Sequence, residues 1–352
     1  MSAHASDHDP QGGEQRPPPL ISHGFDTFQR MAIIRAVCVR LVQAGCTTAI
    51  DVGGHPGLLA DNLPEGLRCR AVIDLPHCRR PDHVQGSAMA LPLGDDQVDV
   101  ALSSDTLEHL ADPVGAVHEL ARVARRAIVI SAPWRCEAIS QVEQTLNRWH
   151  QQLTGCPHPW LSEHIEHGLP DLGEVEEAIR GNGWSQIHFA CGTLHEWTLL
   201  QTALLLHELL PAADVNMREF HEAHNRGWDA TLSTHIPAQP YRTVLLAVSE
   251  RSLLKAVIAG SSSAPPSPPP LEPVLQLIGG LLARLQETLS REGAGQGGFD
   301  AVYRERLESL TAQQAAEIEG LRAEIERLRG EGGLVGKARR ALGRLGGRGE
   351  RS

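Results

Sequence analysis

Residues whose types and spacing could do chemistry gather in the first half of the chain. Asp51 lies near the end of Thr47-Thr48-Ala49-Ile50-Asp51-Val52, and Gly53-Gly54-His55-Pro56-Gly57 follows before Leu58-Leu59-Ala60. The apolar, β-branched run reads as a buried strand, the glycines as a tight turn, and the leucines as a helix start. That order puts backbone N–H groups where an anionic or carboxylate-bearing ligand can sit. Asp74 ends a second run, Arg70-Ala71-Val72-Ile73. It follows Asp51 at close to the roughly 20 residues that separate such acids in nucleotide-binding α/β folds, where the second takes ribose hydroxyls. The dinucleotide fingerprint needs glycines at relative positions 1, 3 and 6, and counting from Gly53 those places hold Gly53, His55 and Leu58, so it is not met.

Imidazoles form a second group. His109 follows a strand-like run, and His158 and His164 lie further on; each is a candidate general base near neutral pH. The chain has 18 histidines, so a structural role stays open for each. His164-x-x-His167 beside Glu163 has neither a firm helix nor a third ligand, and no metal is expected.

The elements that must position these residues alternate. Residues 26–44 carry Phe28, Met31, Ile34, Val37, Cys38, Leu41 and Val42 at helical spacing, closed by Gly45. Strands are expected at 47–52, 70–74, 97–103 and 126–131, and helices at 113–123 and 137–153. Residues 156–171 read as a His-, Trp- and Pro-rich loop and 172–180 as a helix, with strands at 184–190 and 243–248. Such alternation implies a doubly wound, mostly parallel sheet that takes ligands at the carboxyl ends of its strands. Trp134 and Trp160 read equally as core or as a sugar-stacking wall.

The 352 residues divide by composition. Residues 1–24 read as a disordered leader without the apolar core of a signal peptide. The α/β domain is expected over 25–250, a Ser/Pro-rich linker over 251–272, a helical, coiled-coil segment over 273–330 and a basic tail over 331–352. Leu307, Gln314, Leu321 and Leu328 share one heptad position, and Thr311, Ile318 and Ile325 the other, which predicts a homo-oligomer. In the tail, Lys337, Arg339, Arg340 and Arg344 stand around Leu334, Ala338, Ala341, Leu342 and Leu345, a pattern suited to peripheral contact with an anionic membrane. The net charge of −11 argues against a general nucleic-acid binder. Seven cysteines without a Cys-x-x-Cys pair point to a reducing, cytoplasmic setting, with the inner membrane as the peripheral site.

Asp51 to Gly57 resembles motif I of class I S-adenosylmethionine-dependent methyltransferases, with His55 where that family usually has a further glycine. Gly86-Ser87-Ala88-Met89-Ala90-Leu91-Pro92-Leu93 resembles the family's segment beside adenine, with Ser87 in place of the usual Asp. Asp95-Asp96-Gln97-Val98-Asp99-Val100 resembles the lead into strand four. Ser104-Asp105-Thr106-Leu107-Glu108-His109-Leu110 resembles the Leu-Glu-His segment after it. Together these cover residues 45–135, and 157–171 resembles a segment of bacterial relatives often thought to act on glycans.

The resemblance implies a Rossmann-like, doubly wound, mostly parallel seven-stranded sheet and S-adenosylmethionine as cofactor. In that reading Gly53, Gly54 and Gly57 admit the methionine part. Asp51 accepts from its ammonium, directly or through water, and Asp74 from the ribose diol. Ser87, Ala88, Met89 and Ser104 complete the cofactor site. The activity implied is O-methylation of a glycan or glycolipid precursor, with His109, His158 or His164 as base. Ser103 to Thr106 stand where enzymes acting on exocyclic amines carry Asn-Pro-Pro-Tyr, which disfavours base methylation. A quinone-like or lipid acceptor stays open, as does a non-catalytic oligomeric scaffold with a degenerate domain, for which His55 and Ser87 speak.

Overall fold

The computed structural model describes residues 19–209, 216–267 and 272–281. The heptad stretch from Leu307 to Leu328, the basic tail and the leader up to residue 18 lie outside them. In chain order the elements are α1 (Phe25–Gln43), β1 (Thr48–Val52), α2 (Leu58–Asp61), β2 (Arg68–Asp74), β3 (His83–Gln85), β4 (Val98–Ser104), α3 (Pro113–Val123) and β5 (Ala124–Pro133). There follow α4 (Glu137–Thr154), α5 (Pro159–His167), α6 (Leu172–Gly181), β6 (Ser185–Cys191), α7 (Leu194–Leu209), α8 (Met217–Gly227), β7 (Arg242–Val248) and α9 (Arg251–Ile258).

The strands form one seven-stranded sheet in the order β3-β2-β1-β4-β5-β7-β6, with β7 antiparallel to both neighbours. Side chains alternate across it, as the pleat requires. Ala49, Val100, Leu102, Val129, Val244 and Leu246 face α1 and α9. Ile50, Val52, Ala101, Ile128, Ile130 and Leu245 face α3 and α6. Burial on both faces explains why β1, β4, β5 and β7 are nearly continuous apolar runs. The chain leaves β3 at one edge and returns to pair β4 with β1, so the strand order reverses between β1 and β4. Ligands of open α/β sheets bind at that place, outside the carboxyl ends of the strands.

A third apolar cluster joins Ile139 and Leu146 of α4, Leu161 of α5, Trp197 and Leu200 of α7, Phe220 of α8 and Tyr241. Val274, Leu277 and Leu281 belong to the same cluster, so the helical residues 272–281 pack on the α/β unit instead of opening a separate segment.

Several expected boundaries shift. Residues 156–171 are not a free loop: α5 occupies their centre, with Pro159 in its first turn, where a missing N–H costs nothing. Residues 251–258 are helix α9, not linker, and bury Leu253 and Val257. Residues 20–22 form a 3₁₀ turn tied down by Ser22 Oγ, which donates to Glu222 Oε1 at 2.7 Å, so these residues, expected in the leader, belong to the fold. The short strand β3 was not expected. None of the described helices is long and apolar enough to cross a membrane.

Candidate functional site

β1, β2 and β4 end side by side, Val52 pairing with Ile73 on one flank and Ser103 on the other. The turn after β1 is tied to β2. Gly53 N–H donates to the Ile73 carbonyl at 2.8 Å and His55 N–H to Asp74 Oδ2 at 2.9 Å. Asp74 Oδ1 accepts from Leu75 N–H at 2.7 Å. An ionised carboxylate has about four acceptor positions, so Asp74 keeps lone pairs for a ligand diol. Gly86 N–H donates to the Asp74 carbonyl at 3.0 Å and begins a turn at the same edge. Within it Ser87 Oγ accepts from Met89 N–H at 3.2 Å. Ala88 is half-buried on the core below. Leu75 and Met89, both after Asp74 in the chain, are 63% and 43% exposed and leave large apolar side chains bare. Ser104, ending β4, has a buried hydroxyl without a partner.

The glycines answer to the protein itself. A Cβ at Gly53 would strike Thr106, at Gly54 the Asp51 carboxylate, and at Gly57 the Arg80 guanidinium. Gly53 and Gly57 also have φ of +73° and +107°, which favours glycine on backbone grounds. Thr106, Asp51 and Arg80 thus occupy the Cβ sides of the three glycines. Helix α2 has only four residues, too few aligned peptides for the expected pull on a carboxylate. Asp51 is 1% exposed, and burial pushes its carboxyl up to about 7 against the opposing effect of the Ala60 backbone N–H. It lies beneath Gly54 with both carboxylate oxygens buried.

Beyond β4 the chain enters a ring of charges. Arg242, 4% exposed, donates to Asp26 Oδ1 at 2.7 Å and lies 3.1 Å from Asp105 Oδ2. Arg30 closes the ring, 2.7 Å from Asp26 and 3.1 Å from Asp105. A buried arginine is tolerable only when paired in this way. The ring holds Asp105 at φ +53° and so aims the next turn, Leu107–His109.

That turn meets α5. His109 Nδ1 lies 3.3 Å from Glu163 Oε1, and the rings of His109 and His164 have centroids 5.5 Å apart. His164, 6% exposed, places Nδ1 at 3.1 Å from Oε1 of Glu143, which also accepts from the Tyr241 hydroxyl at 2.9 Å. The structure thus unites His109 and His164. His158 is on the other side of Trp160, whose ring is 4.9 Å from His158 and 5.5 Å from His164. Burial, and then the neighbouring His150, push the His158 imidazole down to about 4, so it is neutral at pH 7. Burial also lowers His109, with Glu163 opposing. Glu108 is 1% exposed, and burial followed by the charge of Asp105 holds its carboxyl well above the usual range. Trp160 is half-buried, whereas Trp134 is 5% exposed and donates Nε1–H to Thr243 Oγ1 at 2.8 Å, which makes it core and not a ligand wall.

Glu108, His109 and His164 each offer a ligand atom within 4.8 Å of the others. His167, the partner considered from sequence spacing, is exposed and outside that group. Glu143 and Tyr241 escaped sequence reasoning because one looks like a surface charge on a helix and the other stands far away in the chain. Arg80 and Thr106 escaped it because their contact with the glycine turn is purely spatial.

Residues 64–129 match the family described as a methyltransferase domain. An uncharacterized methyltransferase of Mycolicibacterium vanbaalenii is 39% identical over 94 residues, covering 24% of this chain and 36% of the relative. A demethylmenaquinone methyltransferase of Roseiflexus castenholzii is 28% identical over 203 residues, covering 48% of this chain and 84% of the relative. The chain thus spans about a third of the length of its mycobacterial relatives, 36% for the first. Among solved structures, a SAM-dependent methyltransferase from Archaeoglobus fulgidus aligns at 15% identity and TM-score 0.38, over 62% of this chain and 94% of that one. The magnesium protoporphyrin IX methyltransferase of Synechocystis, solved with bound SAH, aligns at 13% identity and TM-score 0.36, over 64% and 85%. The segments from Gly86 to Leu110, read above as similar to the family's adenine-side and Leu-Glu-His segments, fall within residues 64–129, and over that stretch the chain is similar to a methyltransferase domain.

Proposed function

We propose that this chain transfers a methyl group from S-adenosylmethionine to a hydroxyl-bearing acceptor. The observation that carries the reading is Asp74, a carboxylate with spare lone pairs at the end of β2, followed in the chain by bare Leu75 and Met89, on the segment that matches the methyltransferase family. These residues fit the donor's chemistry. Asp74 accepts from the ribose hydroxyls, Leu75 and Met89 cover the adenine, and the Ser104 hydroxyl gains the partner it lacks. Once bound, the donor supplies an electrophilic methyl on a sulfonium, and alignment with the acceptor does much of the catalysis.

The chain's other task is to manage the acceptor's proton. A hydroxyl is a weak nucleophile at neutral pH, so a base must take its proton as the new O–C bond forms. His109 and His164 meet where β4 ends, and Glu143 is placed to stabilise His164 once it is protonated. Trp160 gives this side a flat apolar surface suited to a ring-shaped acceptor. A glycan or glycolipid rests on the sequence stretch 157–171. A quinone-like acceptor is favoured by the similarity to the Roseiflexus demethylmenaquinone methyltransferase. Incubation with tritiated S-adenosylmethionine and parallel panels of lipid-linked glycans and demethylated quinols separates them. Label in neither panel, with no binding of S-adenosylhomocysteine, would leave the scaffold reading. Residues 299–352 are read as an oligomerising, membrane-contacting stretch, and sedimentation with anionic liposomes before and after their deletion tests that reading.

A further inference from the structure

The acceptor side carries more donor atoms than one proton transfer uses. Glu108, His109 and His164 bring a carboxylate and a pair of imidazoles within 4.8 Å of one another. Both histidines have Nδ1 beside a carboxylate, His109 at 3.3 Å from Glu163 and His164 at 3.1 Å from Glu143. At His164 this contact is a hydrogen bond, which fixes the tautomer and leaves the Nε2 lone pair for a ligand, whereas at His109 the carboxylate stands at ion-pair distance. This is the outer-shell arrangement that orients metal-binding imidazoles. Glu143 is itself anchored by the Tyr241 hydroxyl at 2.9 Å.

Glu108 supplies an independent observation. It is 1% exposed, and its Oε2 has no hydrogen-bond partner. Its neighbour Asp105 takes up Arg30 and Arg242. A buried carboxylate oxygen with nothing to bind is costly, and a cation shared with imidazoles removes the cost. Ligand atoms around a tetrahedral ion with bonds of about 2.1 Å lie roughly 3.4 Å apart, so closure asks the side chains for about an ångström of movement.

We propose that Glu108, His109 and His164 form a binding site for a divalent transition-metal ion of the Zn²⁺ type, with Glu143 and Glu163 as the carboxylates that orient the histidines. Two imidazoles and a carboxylate select such an ion over Mg²⁺ or Ca²⁺, which prefer all-oxygen shells. The inference shares the acceptor side with the proposed function but does not need the methyl donor. With the ion in place the imidazoles would be ligands, and an acceptor hydroxyl made more acidic by the ion would release its proton to solvent water.

The test uses the full chain, stripped with chelator and titrated with Zn²⁺ against a competing indicator, and with Co²⁺ by electronic absorption. One ion per chain should bind more tightly than any others, and Co²⁺ should give a four-coordinate spectrum without a thiolate charge-transfer band. His109→Asn and Glu108→Gln should remove that ion, and Glu143→Gln should weaken it about 10- to 100-fold. His109 is half-exposed, so its variant keeps the test open if the others fail to fold. S-adenosylhomocysteine affinity, measured alongside, should not change in His109→Asn. Equal Zn²⁺ affinity in wild type and His109→Asn, or a thiolate band with Co²⁺, overturns the site. Zn²⁺ binding without S-adenosylhomocysteine binding would instead sink the methyltransferase reading and leave the metal site standing.

Discussion

Nδ1 of His164 lies 3.1 Å from Oε1 of Glu143, and both side chains are nearly sealed from water, at 6% and 2% exposure. An imidazole so held has one orientation and one free nitrogen, and its ring centroid lies 5.5 Å from that of His109. His164→Ala and His109→Ala should therefore keep donor binding, and at least one should lose turnover by roughly 10²- to 10⁴-fold. His158→Ala should stay within a few-fold of wild type, because Trp160 separates it from the pair. Initial rates with tritiated donor decide, and full activity in both His109→Ala and His164→Ala would remove the imidazoles from the mechanism.

The glycine turn makes a separate prediction. Gly53→Ala meets Thr106 and a φ of +73°, so it should destabilise the fold. Adding Thr106→Ala removes the Oγ1 and Cγ2 contacts but keeps the Cβ at 2.8 Å, so it should recover only part of the loss, on top of a backbone cost of about 1–2 kcal/mol. His55→Ala should change stability by less than about 0.5 kcal/mol, since His55 is exposed and contributes its backbone N–H. Urea denaturation of the four proteins checks this. A Gly53→Ala chain as stable as wild type would refute the packing account of the turn.

The charge ring is a further test. Arg242→Ala leaves Asp26 and Asp105 short of a partner in a buried setting, and the expected loss is about 3–5 kcal/mol. Arg125→Ala, whose partner Asp99 keeps its bonds from Thr47 and Thr48, should cost far less. Equal midpoints for the two variants would contradict the ring's role.

Much of the sheet is legible in the sequence because burial on both faces writes continuous apolar runs. Residues 113–123 read as a helix and are one, begun by Asp112, whose side chain accepts from Gly115 N–H. Three-residue β3 is too short and too polar to leave a pattern. Helix α5 hid behind its prolines, histidines and tryptophan, since its apolar face is little more than Leu161 and Trp160 packed on α4 and α7. Asp74 and the histidines could be named from position alone. What holds them could not: Asp26 and Arg242 are 216 residues apart, and Glu143 looks like an ordinary helix-surface acid until Tyr241 and His164 close over it.

Stability should fall on mild acidification through His224. Its ring is fully buried between Phe25 and Phe220, and burial pushes the imidazole down from 6.5 to about 4. The unfolded chain therefore binds a proton that the folded chain refuses. This contribution is intact above the unfolded value and is lost as pH drops from 6.5 towards about 4. Glu196, whose Oε1 is 3.9 Å away and whose carboxyl burial raises, contributes the opposite slope. The comparison with His224→Leu isolates the histidine. Melting curves across this range should be flatter for the variant, and parallel curves would refute the assignment.

The central claim is that the carboxyl edge of β1, β2 and β4 binds the methyl donor through Asp74. Calorimetric titration of the full chain with S-adenosylhomocysteine tests it most directly. Wild type should bind one equivalent. Asp74→Ala should lose roughly 10- to 100-fold in affinity, the worth of a charge-assisted hydrogen bond of about 1.5–3 kcal/mol. No heat in wild type, or unchanged affinity in a folded Asp74→Ala chain, would contradict the account.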